Sequence, residues 1–197
     1  DYDGTLADSF HIVLDVMKQI SKKHNLTDVD VENLRKFFEF NIDDALDNWG
    51  KNSIKKKLIL ADLLIHLRLQ ENKIKLFSNV KSTLNKLSKK YDMYIVTSNF
   101  ARIVNKKLKQ NNINVFIDVL GLGAGRSKVK KINLIKEKYP KDTTFYFIGD
   151  TVADMKEAKE TKIKTIASTY GYHEKERLQK LKPDFYINEI KDLLEIL

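Results

Sequence analysis

The chain has 197 residues, 42% of them apolar, no cysteine and a formal charge of +9. That is enough for one buried core carrying a modest insertion, and it excludes disulfides, zinc–thiolate sites and thiol nucleophiles while fitting a reducing, cytoplasmic setting. The lysines are scattered rather than interleaved with aromatic residues, which argues for a solvated surface that attracts anions such as phosphate esters and against a nucleic-acid platform.

In chain order, Asp8-Ser9 caps a helix whose Phe10, Val13, Leu14, Met17 and Ile20 recur every three or four residues and which ends near His24-Asn25. Helical spacing continues through Val31 to Phe40, Ile42 to Trp49 and Ile54 to Leu69. Nothing between Ser9 and Leu76 alternates like a strand, so an all-helical block is expected there. Asp62, His66 and Arg68 interrupt its densest apolar stretch, which excludes a membrane span. After Phe77 the pattern changes to strand and helix in alternation. Helices are expected over Val80 to Leu87, Ala101 to Gln110, Lys128 to Tyr139, Val152 to Glu160 and Ile190 to Leu197. Strands are expected over Tyr94 to Thr97, Val115 to Leu120, Phe145 to Ile148, Lys164 to Ser168 and Phe185 to Ile187. This rhythm predicts an α/β fold, a parallel sheet covered by helices on both faces, with functional groups at the carboxyl ends of the strands.

Three such ends carry polar residues. Thr97-Ser98-Asn99 closes one strand and Gly149-Asp150 another, while the chain opens on Asp1-Tyr2-Asp3-Gly4-Thr5. In extended backbone Asp1 and Asp3 share a face, and two carboxylates so placed repel unless a cation or a proton lies between them. A nucleophile at Asp1 calls for a supporting strand, expected upstream of Asp1. The glycines at 121, 123 and 125 have the wrong spacing for a dinucleotide loop and read as a turn. His11, His24, His66 and His173 show no metal-like or triad-like spacing and are expected on surface or helix faces.

Asp1-Tyr2-Asp3-Gly4-Thr5-Leu6, Thr97, Lys128 and Gly149-Asp150-Thr151-Val152-Ala153-Asp154, in this order, resemble the four motifs of the haloacid dehalogenase-like hydrolases, most of all the phosphoglycolate-phosphatase-like branch. The resemblance implies a Rossmann-like core over residues 1–8 and 78–197 and an inserted helical cap over 9–77. It implies Mg²⁺-dependent hydrolysis of a small phosphorylated metabolite by a monomer or weak dimer, with no nucleic-acid or membrane partner. Asp1 is then the nucleophile that forms an aspartyl-phosphate, and Asp3 the proton donor and acceptor. Thr97, Ser98 and Lys128 would bind phosphate. Asp1, the carbonyl of Asp3 and Asp150 would hold the metal, with Asp154 behind them. Lys130, Lys131 and Arg126 are rivals to Lys128, because the Lys-Pro pair frequent in the family is absent. In the cap, Arg35, Glu39 and Asn41 are candidates to touch the substrate. Asp3 speaks against carbon–halogen cleavage, whose leaving halide needs no proton. A sugar-phosphate mutase of the same superfamily, or a binding or regulatory protein that keeps the fold without turnover, are the alternatives.

Overall fold

The computed structural model describes residues 1–26, 30–40 and 53–197. The helix expected over Ile42 to Trp49, and Asn41, lie outside the described residues. β1 (Ala7–Asp8) leads at once into α1 (Phe10–Lys23), whose Val13, Leu14, Met17 and Ile20 form a buried stripe. Ser9 occupies the cap position, but its hydroxyl is hydrogen-bonded to the Tyr172 hydroxyl at 2.9 Å and makes no cap bond. α2 (Val31–Phe37) starts at Asp30, whose carboxylate accepts from the Asn33 N–H. It ends three residues before Phe40, short of the expected length. α3 (Ser53–Gln70) runs along α1. Leu34, Phe37, Ile59 and Leu63 close a cluster on the α1 stripe, and each such side chain, fully buried, contributes about 1.5–3 kcal/mol.

One expectation for this region is corrected. β2 (Lys75–Leu76) is a strand, antiparallel to β1 with Ala7 opposite Leu76. Two residues are too few to show an alternation, so no periodicity announces it. The pairing closes the helical block at its base, bringing its first and last residues side by side.

Helices and strands then alternate as expected: α4 (Val80–Leu87), β3 (Tyr94–Val96), α5 (Ala101–Gln110), β4 (Asp118–Leu120), α6 (Lys128–Lys136), β5 (Tyr146–Gly149), α7 (Val152–Glu160), β6 (Lys164–Ser168), α8 (Lys175–Gln179), β7 (Phe185–Ile187) and α9 (Leu193–Ile196). α8 was not anticipated, and the closing helix begins as a 3₁₀ turn over Ile190–Asp192. β3 pairs with β4, and β5 with β6 and β6 with β7, all in parallel. Successive residues of a strand serve different cores. Ile95 and Ile166 join a cluster with Leu84, Val104 and Ile187, while Val96 and Ala167 join one with Ile132, Phe147 and Met155. The β3–β4 and β5–β6–β7 sheets are separate, and both are dry on their two faces, as parallel sheets require. β3 and β5 do not pair with each other, and a cavity of about 500 Å³ is lined by Tyr94, Ile95 and Val96 on one side and Tyr146, Phe147 and Ile148 on the other. Among the described residues no helix is long and apolar enough to cross a membrane.

Candidate active site

The strand ends converge. Thr97 follows β3, Asp150 follows β5, the segment 169–173 follows β6, and the loop from Asp1 to Gly4 lies against them, with the Asp1 nitrogen donating to the Ile148 carbonyl at 2.7 Å. Two glycines make this approach possible. Gly4 sits at φ +75°, and a Cβ on it would come within 1.9 Å of Asp150 Oδ2. A Cβ on Gly171 would meet Asp150 Cβ at 2.3 Å and the Gly4 carbonyl at 2.4 Å. Asp150, fully buried between them, accepts from Thr5 Oγ1 at 3.0 Å and from the Tyr172 N–H at 2.8 Å.

Asp154 stands one turn into α7, where it completes a capping box: Thr151 Oγ1 accepts from its N–H, and its Oδ2 accepts from the Thr151 N–H at 3.2 Å. Its Oδ1 meets Lys128 Nζ, which also lies 2.8 Å from Asp1 Oδ2. Lys128, at the first turn of α6, is buried in spite of its charge. The carboxylates of Asp1, Asp150 and Asp154 each place an oxygen within 4.8 Å of the others. Burial, followed by the nearby charge of Asp154, pushes the Asp150 carboxyl up to about 7. Burial also pushes Asp154 upward, but the charge and hydrogen bond of Lys128 outweigh it and hold the carboxyl below its ordinary range. Asp3 is raised by burial against the opposing hydrogen bond of Asn99, whose Nδ2 donates to Asp3 Oδ2 at 3.1 Å. Three converging carboxylates beside a single ammonium leave an excess of negative charge with oxygen donors alone. That donor set fits a small hard dication such as Mg²⁺.

Around the phosphate-binding candidates, Thr97 is buried and its hydroxyl accepts from the Asn99 N–H at 3.0 Å, while Ser98 is exposed beside it. Of the rival cations, Lys131 is wholly buried and donates to the Thr97 carbonyl at 2.7 Å. Lys130 and Arg126 are exposed. A cavity of about 590 Å³ opens over the cluster, with Asp1, Asp3, Thr97, Ser98, Lys128 and Asp154 in its wall.

Residues 1–168 match the sequence profile described as haloacid dehalogenase-like hydrolase. The chain belongs to this family. The hydrolase is 27% identical to a phosphoglycolate phosphatase of Vibrio parahaemolyticus, over all of this chain and 93% of that protein. It is 22% identical to pyrophosphatase PpaX of Oceanobacillus iheyensis, again over the whole chain and 94% of the relative. Among solved structures, a haloacid dehalogenase-like hydrolase of Streptococcus pneumoniae superposes with a TM-score of 0.84 at 22% identity, covering 100% of this chain and 95% of that one.

Not every candidate residue of the hydrolase reaches the cavity. Arg35 donates from Nε to the Tyr172 carbonyl at 2.9 Å and pairs with Glu174, and Glu39 pairs with Arg177. Both contacts join the helical block to the segment after β6 rather than line the cavity, and Asn41 lies outside the described residues. His173 is corrected outright: it is buried, not on a surface. Its Nδ1 accepts from the Val152 N–H at 2.9 Å, which leaves Nε2 to donate to the Arg35 carbonyl at 2.8 Å. The Tyr170-Gly171-Tyr172-His173 stretch carries no motif, but a glycine between aromatics just past a strand end is a usable sequence signal of close backbone approach.

Proposed function

We propose that this hydrolase cleaves a small-molecule phosphate monoester through an aspartyl-phosphate, with residues 1–8 and 78–197 as the catalytic core and 9–77 as a cap over it. The convergence of Asp1, Asp150 and Asp154 on one buried point, with Lys128 between Asp1 and Asp154, carries this reading. The phosphatase names of the relatives support it. Asp1, Asp150 and the carbonyl of Asp3 would hold Mg²⁺, with Asp154 orienting them. When bound, the ion supplies positive charge to the phosphate oxygens.

The chain's own groups account for the remaining steps. The Asp1 carboxylate attacks phosphorus, forming a new O–P bond as the ester O–P bond breaks. Asp3, whose raised pKa favours the acid form, gives its proton to the departing alcohol. Water then attacks the phosphorus of the aspartyl-phosphate, Asp3 takes the water's proton, and phosphate leaves. Thr97 and Ser98 offer hydroxyl and N–H groups to the phosphate oxygens, and Lys128 offers charge. The test is phosphate release from a panel of esters with and without Mg²⁺. Turnover should vanish on chelation, return with Mg²⁺, and be undetectable in Asp1→Asn. A folded wild-type protein that releases no phosphate from any ester defeats the proposal.

A further inference from the structure

The cavity above the carboxylates is lined on its core side by polar and charged residues, with Lys107, Arg126, Lys130, Glu157 and Glu160 beside the catalytic groups. Among the described residues of the helical block that line it, all but Arg68 and Glu71 are apolar, with Met17, Phe37, Phe38, Leu64 and Leu67 facing the catalytic groups. The two exceptions are of opposite sign. Arg68 is exposed, and Glu71 is engaged by Lys106. The described residues of this wall offer no net charge to a second acidic group. Its aromatic part is fixed to the catalytic centre, because Tyr172 packs edge-on against Phe38 at 4.8 Å and against Phe10 at 5.2 Å while its N–H holds Asp150. The volume, about 590 Å³, lies within the roughly 300–1,000 Å³ of sites for drug-sized ligands. It is several times the bulk of a phosphate carrying a two-carbon acid.

We infer that the preferred substrates are phosphate monoesters whose alcohol carries an aromatic ring or an apolar body of similar size, rather than a small carboxylic acid. This rests on the hydrolytic reading above for turnover, but not for binding. The phosphate seats on the floor at Asp1, Thr97 and Lys128, and the apolar body lies against Phe38, Leu64 and Leu67. Removing a ring from water against such a wall favours it over a methyl group by about ten- to a hundredfold in affinity.

Non-hydrolysable phosphonates separate the two claims. Calorimetry in Mg²⁺ should show benzylphosphonate binding at least about tenfold tighter than methylphosphonate, with phosphonoacetate no better than methylphosphonate. Leu67→Asp and the milder Leu64→Ala should each shrink the benzyl-to-methyl ratio, a comparison made within one protein and therefore insensitive to modest losses of stability. Turnover should follow the same order, phenethyl phosphate exceeding phosphoglycolate in kcat/KM although both are esters of primary alcohols. Equal affinities for benzyl- and methylphosphonate, tighter phosphonoacetate, or a ratio untouched by both variants overturns the inference even if phosphate is released. Absence of turnover with every ester, alongside the predicted binding order, defeats the hydrolytic reading and leaves the ligand class standing.

Discussion

At the scale of residues, the informative groups are charged side chains placed where water cannot reach them. Lys131 is wholly buried, its ammonium donates to the Thr97 carbonyl, and burial, with the neighbouring charge of Lys128, lowers its pKa to about 8. Burial works against the Lys131 ammonium, but Met in its place leaves the Thr97 carbonyl without its donor, so the two effects oppose each other. Lys131→Met is therefore expected to shift stability at pH 7 by no more than about 1 kcal/mol while lowering kcat/KM, because the Thr97 loop loses its anchor. Denaturant titration and steady-state kinetics on the same preparation check both. The unfolded chain binds the Lys131 proton up to its ordinary value of 10.5, whereas the folded chain releases it near 8. Wild-type stability should thus gain from Lys131 as pH rises between these values, and the variant should lack that gain. Gly171 makes a second case. A Cβ there collides with Asp150 and the Gly4 backbone, so Gly171→Ala should cost roughly 2 kcal/mol or more and weaken Mg²⁺ binding, measurable by thermal melting with and without the ion.

At the scale of elements, α2 is strapped to the segment after β6 by charge. Arg177 on α8 pairs with Glu32 and Glu39, and Arg35 pairs with Glu174. Glu32 is half exposed, and pairs of that kind are worth little, about 0–1 kcal/mol. Arg177→Ala should accordingly leave the melting temperature nearly unchanged yet raise KM, with wild type approaching the variant's KM as salt is increased. Equal salt dependence in the two proteins would show that the strap has no part in holding the helical block over the site. The elements themselves were largely legible. α5, α7, β6 and β7 have the predicted bounds, since long 3.6-residue periods and short β-branched runs are local signals. β2 and α8 were not, because elements of two and five residues are too short to carry a period and owe their form to what they pack against.

At the scale of the molecule, the sequence singles out groups that the structure brings together, because carboxylates and hydroxyls at strand ends in an α/β rhythm face one edge, and Lys128 joins them from the start of α6. What it could not supply was the partner of each group. Lys128 and Lys131 are both buried at that edge, one turned to Asp1 and Asp154 and the other to a carbonyl, and only packing distinguishes them. Arg35 and Glu39 were chosen for their place in the helical block, and the structure spends them on contacts with Glu174 and Arg177. His173 has no telling spacing in the sequence, yet its two ring nitrogens join α7 to α2. That residues of the helical block and of the strand ends line one cavity appears only in the folded chain. The central claim is that Asp1 becomes phosphorylated during turnover. Acid-quenching the enzyme with a phosphate ester and Mg²⁺, then mapping peptides by mass spectrometry, should place a labile phosphoryl adduct on the peptide that contains Asp1, and none in Asp1→Asn. Turnover with the adduct on another residue, or undiminished turnover in Asp1→Asn, would contradict the account.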